Sequence, residues 1–470
     1  MTREGTVGLV LAAGAGSRFG GRKLLAPIGG RPILQHVLDA LAAAGIDDVV
    51  VVLGADAAAI EPAIRWRAER RVINPDPSRG LSSSVAVGFE TIGPDVGAVL
   101  VALGDQPLVS VEVIGSLLDG PASSGRPIAV PVYADGRGRN PVVVRRAAFP
   151  VVGEASGDRG LGPVLEAHPD LVAEIAVEGA NPDVDTPGDH ARAIEAAWAA
   201  RVRANREQVE RIREVPDGTD FYAPVNSLFR ADPTRTDDPV LDALLDLTRS
   251  GDTWLDVGAG AGRFALPIAR ALDASGGSVI ALDASPSMLE TLREIAEDYA
   301  IENVRVVEAR WPPTDGGAAT ALEADVALIA HVGYDIEDIG PFFDALEASA
   351  TRACVAVLME RVPASAADPF WPPVHGQSRV PLPALPDVLE LLEARGRHPD
   401  VRRIAIEPRR FETRDALAGF IRRQLWIDPG GEKEERFQAA LDALTVADGD
   451  GWTIAGRGQS DVGVVTWAPR

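Results

Sequence analysis

The stretch Leu11-Ala12-Ala13-Gly14-Ala15-Gly16-Ser17-Arg18-Phe19-Gly20-Gly21-Arg22-Lys23 combines closely spaced glycines with basic side chains. Glycines let backbone N–H groups approach a phosphate, and Arg18 and Lys23 bring positive charge to the same place. That combination suits the phosphates of a nucleoside triphosphate. Asp105 follows an apolar run, and a carboxylate there can hold Mg²⁺ on a triphosphate. In the second half, Asp256-Val257-Gly258-Ala259-Gly260-Ala261-Gly262-Arg263 repeats the glycine theme, and Asp283 closes the next apolar run. There the glycines admit a ligand close to the backbone, while Asp283 can accept hydrogen bonds from ribose hydroxyls.

These residues need a scaffold, and the flanking patterns describe one. Val7–Val10 is apolar and β-favouring, and Pro32–Leu41 carries apolar residues at helical spacing, so the first glycines sit in a strand-to-helix turn. Runs at Val49–Leu53, Ala98–Leu103, Ile128–Val132 and Val142–Val144 alternate with helical segments such as Val111–Leu118. The alternation predicts a mostly parallel sheet with helices on both faces, whose ligands bind beyond the C-terminal strand ends. Asp105 follows one such run, and Asp185 precedes a helix expected from Asp189 to Arg213. A turn-capping role for Asp105 and a helix-start role for Asp185 are the alternatives at those positions. Other glycine loops fit less well. Gly21 is followed by Arg22 where a P-loop needs Lys-Ser/Thr, and Phe19 stands where a dinucleotide fingerprint needs glycine.

The first half resembles the MobA-like nucleotidyltransferases, in particular the molybdenum cofactor cytidylyltransferase branch. The likeness continues through Asn74-Pro75-Asp76-Pro77-Ser78-Arg79-Gly80-Leu81-Ser82-Ser83-Ser84, Leu103-Gly104-Asp105-Gln106-Pro107, Arg139-Asn140-Pro141-Val142, Gly157-Asp158-Arg159-Gly160 and Asp183-Val184-Asp185-Thr186-Pro187. The resemblance implies nucleotide binding by Leu11, Ala12, Ala13, Gly14, Gly16, Ser17, Lys23, Asp76, Gly80, Ser82 and Ser83. It implies catalysis by Lys23, Arg18 and Asp105, metal binding by Asp105 and Asp185, and an acceptor pocket near Asn140. The expected reaction uses CTP and Mg²⁺ to cap a phosphorylated acceptor, foremost molybdopterin, with release of pyrophosphate. The Leu11-Ala12-Ala13-Gly14 start favours CTP over GTP by the same likeness. A sugar phosphate acceptor, use of GTP, and a degenerate nucleotide-binding module stay open.

The second half is similar to class I S-adenosylmethionine-dependent methyltransferases. That likeness implies S-adenosylmethionine binding by Asp256, Gly258, Gly260, Gly262, Asp283 and Glu308. It places His331 and Tyr334 where such enzymes meet an acceptor, although a packed pair is an equal reading. The motif of amino-methylating nucleic-acid enzymes does not follow Asp325, which favours a small-molecule acceptor. A domain that only binds S-adenosylmethionine is the alternative.

At 470 residues with 46% hydrophobic content, the chain predicts more than one core. The expected division is a nucleotidyltransferase domain at 1–195, a helical linker at 196–220 broken by Pro216-Asp217-Gly218, and a methyltransferase-like domain at 221–470 opening on a lid from Phe221 to Asp238. The fold class expected is α/β, two doubly wound sheets in tandem. A formal charge of −23 opposes binding to nucleic acid or an anionic membrane surface. The lone Cys354 suits a reducing cytoplasm, and no long apolar run suggests a membrane span. Expected partners are therefore small molecules, and the resemblance of the first half implies a molybdoenzyme or its maturation factor as a protein partner.

Overall fold

The computed structural model describes residues 5–14, 16–215, 230–313 and 322–470. The Ser17 side chain, the Pro216-Asp217-Gly218 break and the Phe221–Phe229 part of the expected lid lie outside the described residues. The chain divides into two compact units, Met1–Ala197 and Trp198–Arg470.

In the first unit, β1 (Thr6–Ala12), β2 (Val49–Leu53), β3 (Arg70–Ile73), β4 (Ala98–Leu103), β5 (Ile128–Tyr133), β6 (Val142–Arg145) and β7 (Val172–Val177) form one sheet. Its order is β3-β2-β1-β4-β6-β5-β7. The first four strands are parallel, and β6 is antiparallel to both of its neighbours. Alternate residues of β1 feed opposite core layers: Val10 and Ala12 enter one, Leu9 and Leu11 the other. All of β2 is buried, as a strand covered on both faces requires. Helix α1 (Ile33–Ala43) buries Ile33, Leu34, Val37, Leu38 and Leu41, the expected apolar face. Helices α2 (Leu81–Phe89) and α3 (Val111–Ser124) add further cover. The register pairs Leu11 with Leu103 and Leu53 with both Ala12 and Ile73. The loops after β1, β3 and β4 consequently leave one edge of the sheet.

Helix α4 (Pro187–Ile212) crosses the unit boundary. The expected linker at 196–220 is not free helix over its described part. Trp198 and Val202 are each 3% exposed, and the Trp198 indole N–H donates to the Ile336 carbonyl at 2.8 Å. Gln208 donates to the Ser378 carbonyl and accepts from the Val380 N–H, both at 2.8 Å. Residues 198–212 are thus the second unit's own packing. Losing a buried Trp alone costs about 3–5 kcal/mol. A fragment 216–470 should therefore melt far below a fragment 187–470, or fail to fold. Equal melting temperatures of the two fragments would return residues 198–212 to the role of linker.

The second unit contains β8 (Thr253–Val257), β9 (Ser278–Asp283), β10 (Val304–Glu308), β11 (Ala324–Ala330), β12 (Ala350–Met359), β13 (Asp400–Ile406) and β14 (Ser460–Trp467). The order is β10-β9-β8-β11-β12-β14-β13, with β14 antiparallel to both neighbours. Between β13 and β14 the chain makes an excursion containing helices Arg414–Gln424 and Glu434–Leu444 and a hairpin of Thr445–Asp448 with Gly451–Ile454. Leu417, Ile421 and Phe437 of this excursion share a small core with Phe370 and Trp371, which follow β12. Cys354 is buried in β12, and burial pushes its thiol up to about 12. Among the described residues, no helix is long and apolar enough to cross a membrane.

Candidate functional site

The first unit gathers the predicted charges at one edge of its sheet. Lys23 Nζ lies 2.5 Å from Asp105 Oδ2 and 2.9 Å from Asp185 Oδ1, and Arg18 reaches Asp185 Oδ2 at 3.0 Å. Gly16 has φ +57°, which a side chain adopts only under strain, and a Cβ there would crowd Lys23 Cγ at 3.2 Å. Burial opposes the Lys23 ammonium, but the charges and hydrogen bonds of Asp105 and Asp185 outweigh it and hold its pKa above the ordinary lysine value.

Asp105 and Asp185 meet because the Val184 N–H donates to the Asp105 carbonyl at 3.0 Å while the Val184 side chain is 1% exposed. The start of α4 does not consume Asp185. Thr186 and Asp189 cap each other instead, with the Thr186 N–H donating to Asp189 Oδ2 at 2.8 Å and the Asp189 N–H to Thr186 Oγ1 at 3.1 Å. Two carboxylates that reach a single ammonium are close enough together to share a divalent ion, and their hard oxygens suit Mg²⁺. Among the described residues no group of three or more metal-type side chains is gathered for an ion. Phosphate oxygens would have to complete the shell, with Lys23 standing where the ion's charge would act.

A polar chain beside this cluster, buried at Gln106 and Asn181 and exposed at Asp183, was not foreseen. Asp183 Oδ1 accepts from Gln106 Nε2 at 2.8 Å, and Gln106 Oε1 accepts from Asn181 Nδ2 at 3.3 Å. Burial and then the Asp105 charge raise the Asp183 pKa. Asn181 also meets Tyr133, whose hydroxyl donates to the Asn140 carbonyl at 2.8 Å. Asn140, assigned to the acceptor pocket, is thereby tied to the carboxylate cluster through its backbone. The only sequence signal was the recurrence of Asn and Asp around 181–185.

The Asn74–Ser84 segment leaves the same edge but is largely occupied with its own turn. Asn74 Nδ2 donates to Ser83 Oγ and Ser84 Oγ at 2.8 and 2.9 Å, and Ser83 Oγ donates to the Gly80 carbonyl at 2.7 Å. The exposed Asp76 accepts from the Ser78 hydroxyl. Gly80, Ser82 and Ser83 form the start of α2. Leu11, Ala12 and Ala13 are buried at the end of β1, and Gly14 is exposed just beyond it. Among the described residues no hydrogen bond or ion pair joins 74–84 to Lys23, Asp105 or Asp185.

In the second unit a cavity of about 380 Å³ opens at the carboxyl edge and is lined by Asp256, Gly258, Gly260, Asp283, Trp311 and His331, among others. Its size falls within the range of about 300–1,000 Å³ usual for ligand pockets. Gly258 has φ +75°, and a Cβ there would stand 2.5 Å from Val332 Cγ2, so the turn excludes any side chain. The Asp283 carboxylate accepts the Gly260 N–H and the Ser285 N–H, each at 2.8 Å. It therefore shapes the glycine loop as well as facing the cavity. Asp256 is 2% exposed, and its Oδ1 has no hydrogen-bond partner. Burial and the Asp283 charge push its pKa up to about 7. A ligand offering donors and ribose hydroxyls fits these acceptors.

Glu308 ends β10 exposed and just outside the cavity lining, which its neighbours Ala309, Arg310 and Trp311 form. His331 does line the cavity, with φ +58°. Burial, then the Arg263 charge, pushes its imidazole down to about 4, so it is neutral at physiological pH. Tyr334 lies outside the lining; its hydroxyl accepts the Met359 N–H at 2.9 Å, which makes it a strut for His331 at 3.4 Å. Arg263 was missed although it directly follows Gly262. It lines the cavity and pairs with Asp238 Oδ2 at 2.7 Å. Asp238 in turn caps the helix Pro239–Leu245 by accepting from the Val240 and Leu241 N–H groups, the Asp-Pro helix-start signal.

Fold and sites together define a transferase with a nucleotidyltransferase-type unit followed by a methyltransferase-type unit. Residues 8–172 match the MobA-like NTP transferase domain and residues 255–338 the methyltransferase domain. Through its first unit, the chain belongs to the MobA-like NTP transferase family. It is similar to nicotine blue oxidoreductase of Paenarthrobacter nicotinovorans, at 35% identity over 187 residues, 38% of this chain and 91% of that protein. It is also similar to bifunctional protein GlmU of Exiguobacterium sibiricum, at 32% identity over 124 residues, 26% of this chain. The chain spans 27% of that relative's length. Among solved structures, Rv0371c from Mycobacterium tuberculosis H37Rv shares 32% identity over 40% of this chain and 97% of its own, with a TM-score of 0.37.

Proposed function

We propose that the first unit transfers a cytidylyl group from CTP to a phosphorylated acceptor, with molybdopterin foremost, and that the second methylates a small molecule with S-adenosylmethionine. The carrying observation is the meeting of Lys23, Arg18, Asp105 and Asp185 beside the glycine loop. In this reading a phosphate oxygen of the acceptor attacks the α-phosphorus, and the bond to the departing pyrophosphate breaks. Lys23 and Arg18 neutralise phosphoryl oxygens, and the glycine loop holds the phosphates through its N–H groups. Asp105 and Asp185 would hold Mg²⁺, which when bound lowers the charge repulsion among the reacting phosphates. The choice of CTP and molybdopterin rests on the motif resemblance.

The full chain incubated with CTP or GTP, Mg²⁺ and a panel of phosphorylated acceptors, with product masses measured, tests the reading. CTP should be consumed well ahead of GTP in direct competition, with a mass gain of one cytidylyl group on molybdopterin. A GTP preference would move the chain to the guanylyl branch, and a mass gain confined to sugar phosphates would replace the acceptor. The likeness to a protein named as an oxidoreductase favours a second reading, in which the same edge binds a redox nucleotide. That activity would consume a reduced nicotinamide nucleotide and release no pyrophosphate.

A further inference from the structure

The described part of this acidic chain pairs many of its arginines with carboxylates, as in Arg201–Asp387 and Arg397–Glu347. One group departs from that pattern. Arg379 has a side chain only 8% exposed, donates to the Ala364 carbonyl at 3.1 Å, and lies over the buried Trp371 ring at 5.4 Å. Its carboxylate neighbour, Asp368, is 3.9 Å away, and Asp368 Oδ1 is buried with no hydrogen-bond partner. Arg361 and Arg457 lie close enough to act on Asp368 and on each other's charge. Neither side chain makes a hydrogen bond or ion pair among the described residues. Arg379 thus lies within loose ion-pair distance of Asp368, and the charges of Arg361 and Arg457 also reach that carboxylate. Burial holds Arg379 and Arg457 below their ordinary pKa, a cost their surroundings do not repay.

The placement is informative. Met359, the last residue of β12, pairs with Val462 of β14, so Arg361 and Arg457 both project beyond that edge. The same edge holds the cavity, because cavity-lining Ala330 of β11 pairs with Val357 of β12.

We propose that Arg361, Arg379 and Arg457 anchor an oxyanion, a carboxylate or phosphate group carried by the methyl acceptor. The inference rests on the methyltransferase reading of the second unit. A planar guanidinium fork matches both oxyanions in geometry, and three of them around one acid leave net positive charge to satisfy.

The test is calorimetric titration of the full chain, with S-adenosylmethionine present, by inorganic phosphate and separately by malonate. The R361Q/R457Q double variant and D368N are titrated in parallel. The first unit's glycine loop is identical in all these proteins, so its own phosphate binding cancels in the comparison. The double variant should bind at least one of the anions about tenfold or more weakly, the usual consequence of losing a charged hydrogen bond. D368N should bind it more tightly, since the competing carboxylate is gone. A phosphate preference identifies a phosphorylated acceptor, and a malonate preference a carboxylated one. Indistinguishable isotherms in the unmutated chain and both variants overturn the site. Failure of the unmutated chain to bind S-adenosylmethionine overturns the methyltransferase reading, while the anion comparison still decides whether the arginines bind an oxyanion.

Discussion

Asp105→Asn should lower pyrophosphate release by about two to three orders of magnitude, the scale expected when one preorganised charge-stabilising group is removed. The amide preserves the side chain's shape but removes half of the carboxylate pair that grips Lys23. Folding should survive, because Lys23 keeps Asp185 at 2.9 Å and Asp105 retains its backbone bond to Val184. The complementary change is Lys23→Met. It leaves Asp105 and Asp185 without their shared cation, although Arg18 still reaches Asp185, and in this half-buried cluster the cost should be only part of the about 3–5 kcal/mol of a fully buried pair. Added Mg²⁺ should recover much of that loss as a rise in melting temperature, a readout independent of turnover. Near-native turnover of Asp105→Asn would remove this carboxylate from the mechanism, and a Lys23→Met melting point indifferent to Mg²⁺ would remove the metal from the site.

Asp283→Ala should weaken S-adenosylmethionine binding by about a hundredfold, at the upper end of what one charged hydrogen bond contributes. The reason for the upper end is structural. The carboxylate faces the cavity and also holds the Gly260 and Ser285 N–H groups at 2.8 Å, so its loss frees the glycine loop as well. Its charge also helps keep the neighbouring Asp256 protonated up to about pH 7. Asp283→Asn, which retains one acceptor, should fall between the alanine variant and the unmutated chain. Calorimetry decides the matter: equal affinity in the alanine variant takes Asp283 out of the site, and no binding by the unmutated chain sinks the methyltransferase reading.

What the amino-acid sequence determines here is local. The all-apolar run Val49–Leu53 is a fully buried strand, and Ile33, Leu34, Val37, Leu38 and Leu41 are the buried face of a helix, because strand and helix periods are written in neighbouring residues. Both glycine turns and the acid closing β9 are legible for the same reason. Motif likeness also pointed to Lys23, Asp105 and Asp185, although these lie 82 and 162 positions apart in their pairings. Only the tertiary structure shows how they meet: the Val184 N–H docks on the Asp105 carbonyl, and the Thr186–Asp189 cap spares Asp185. No period predicts such a contact, because it depends on which loops share a sheet edge. The same holds for Glu308, which the family likeness nominates and which the structure leaves exposed beside the cavity lining at the end of β10. It holds for α4, whose uniform composition hides a change of unit at Trp198. It holds too for Arg361, Arg379 and Arg457, ordinary surface residues in the sequence until β12, β14 and the loop after Trp371 bring their charges around Asp368.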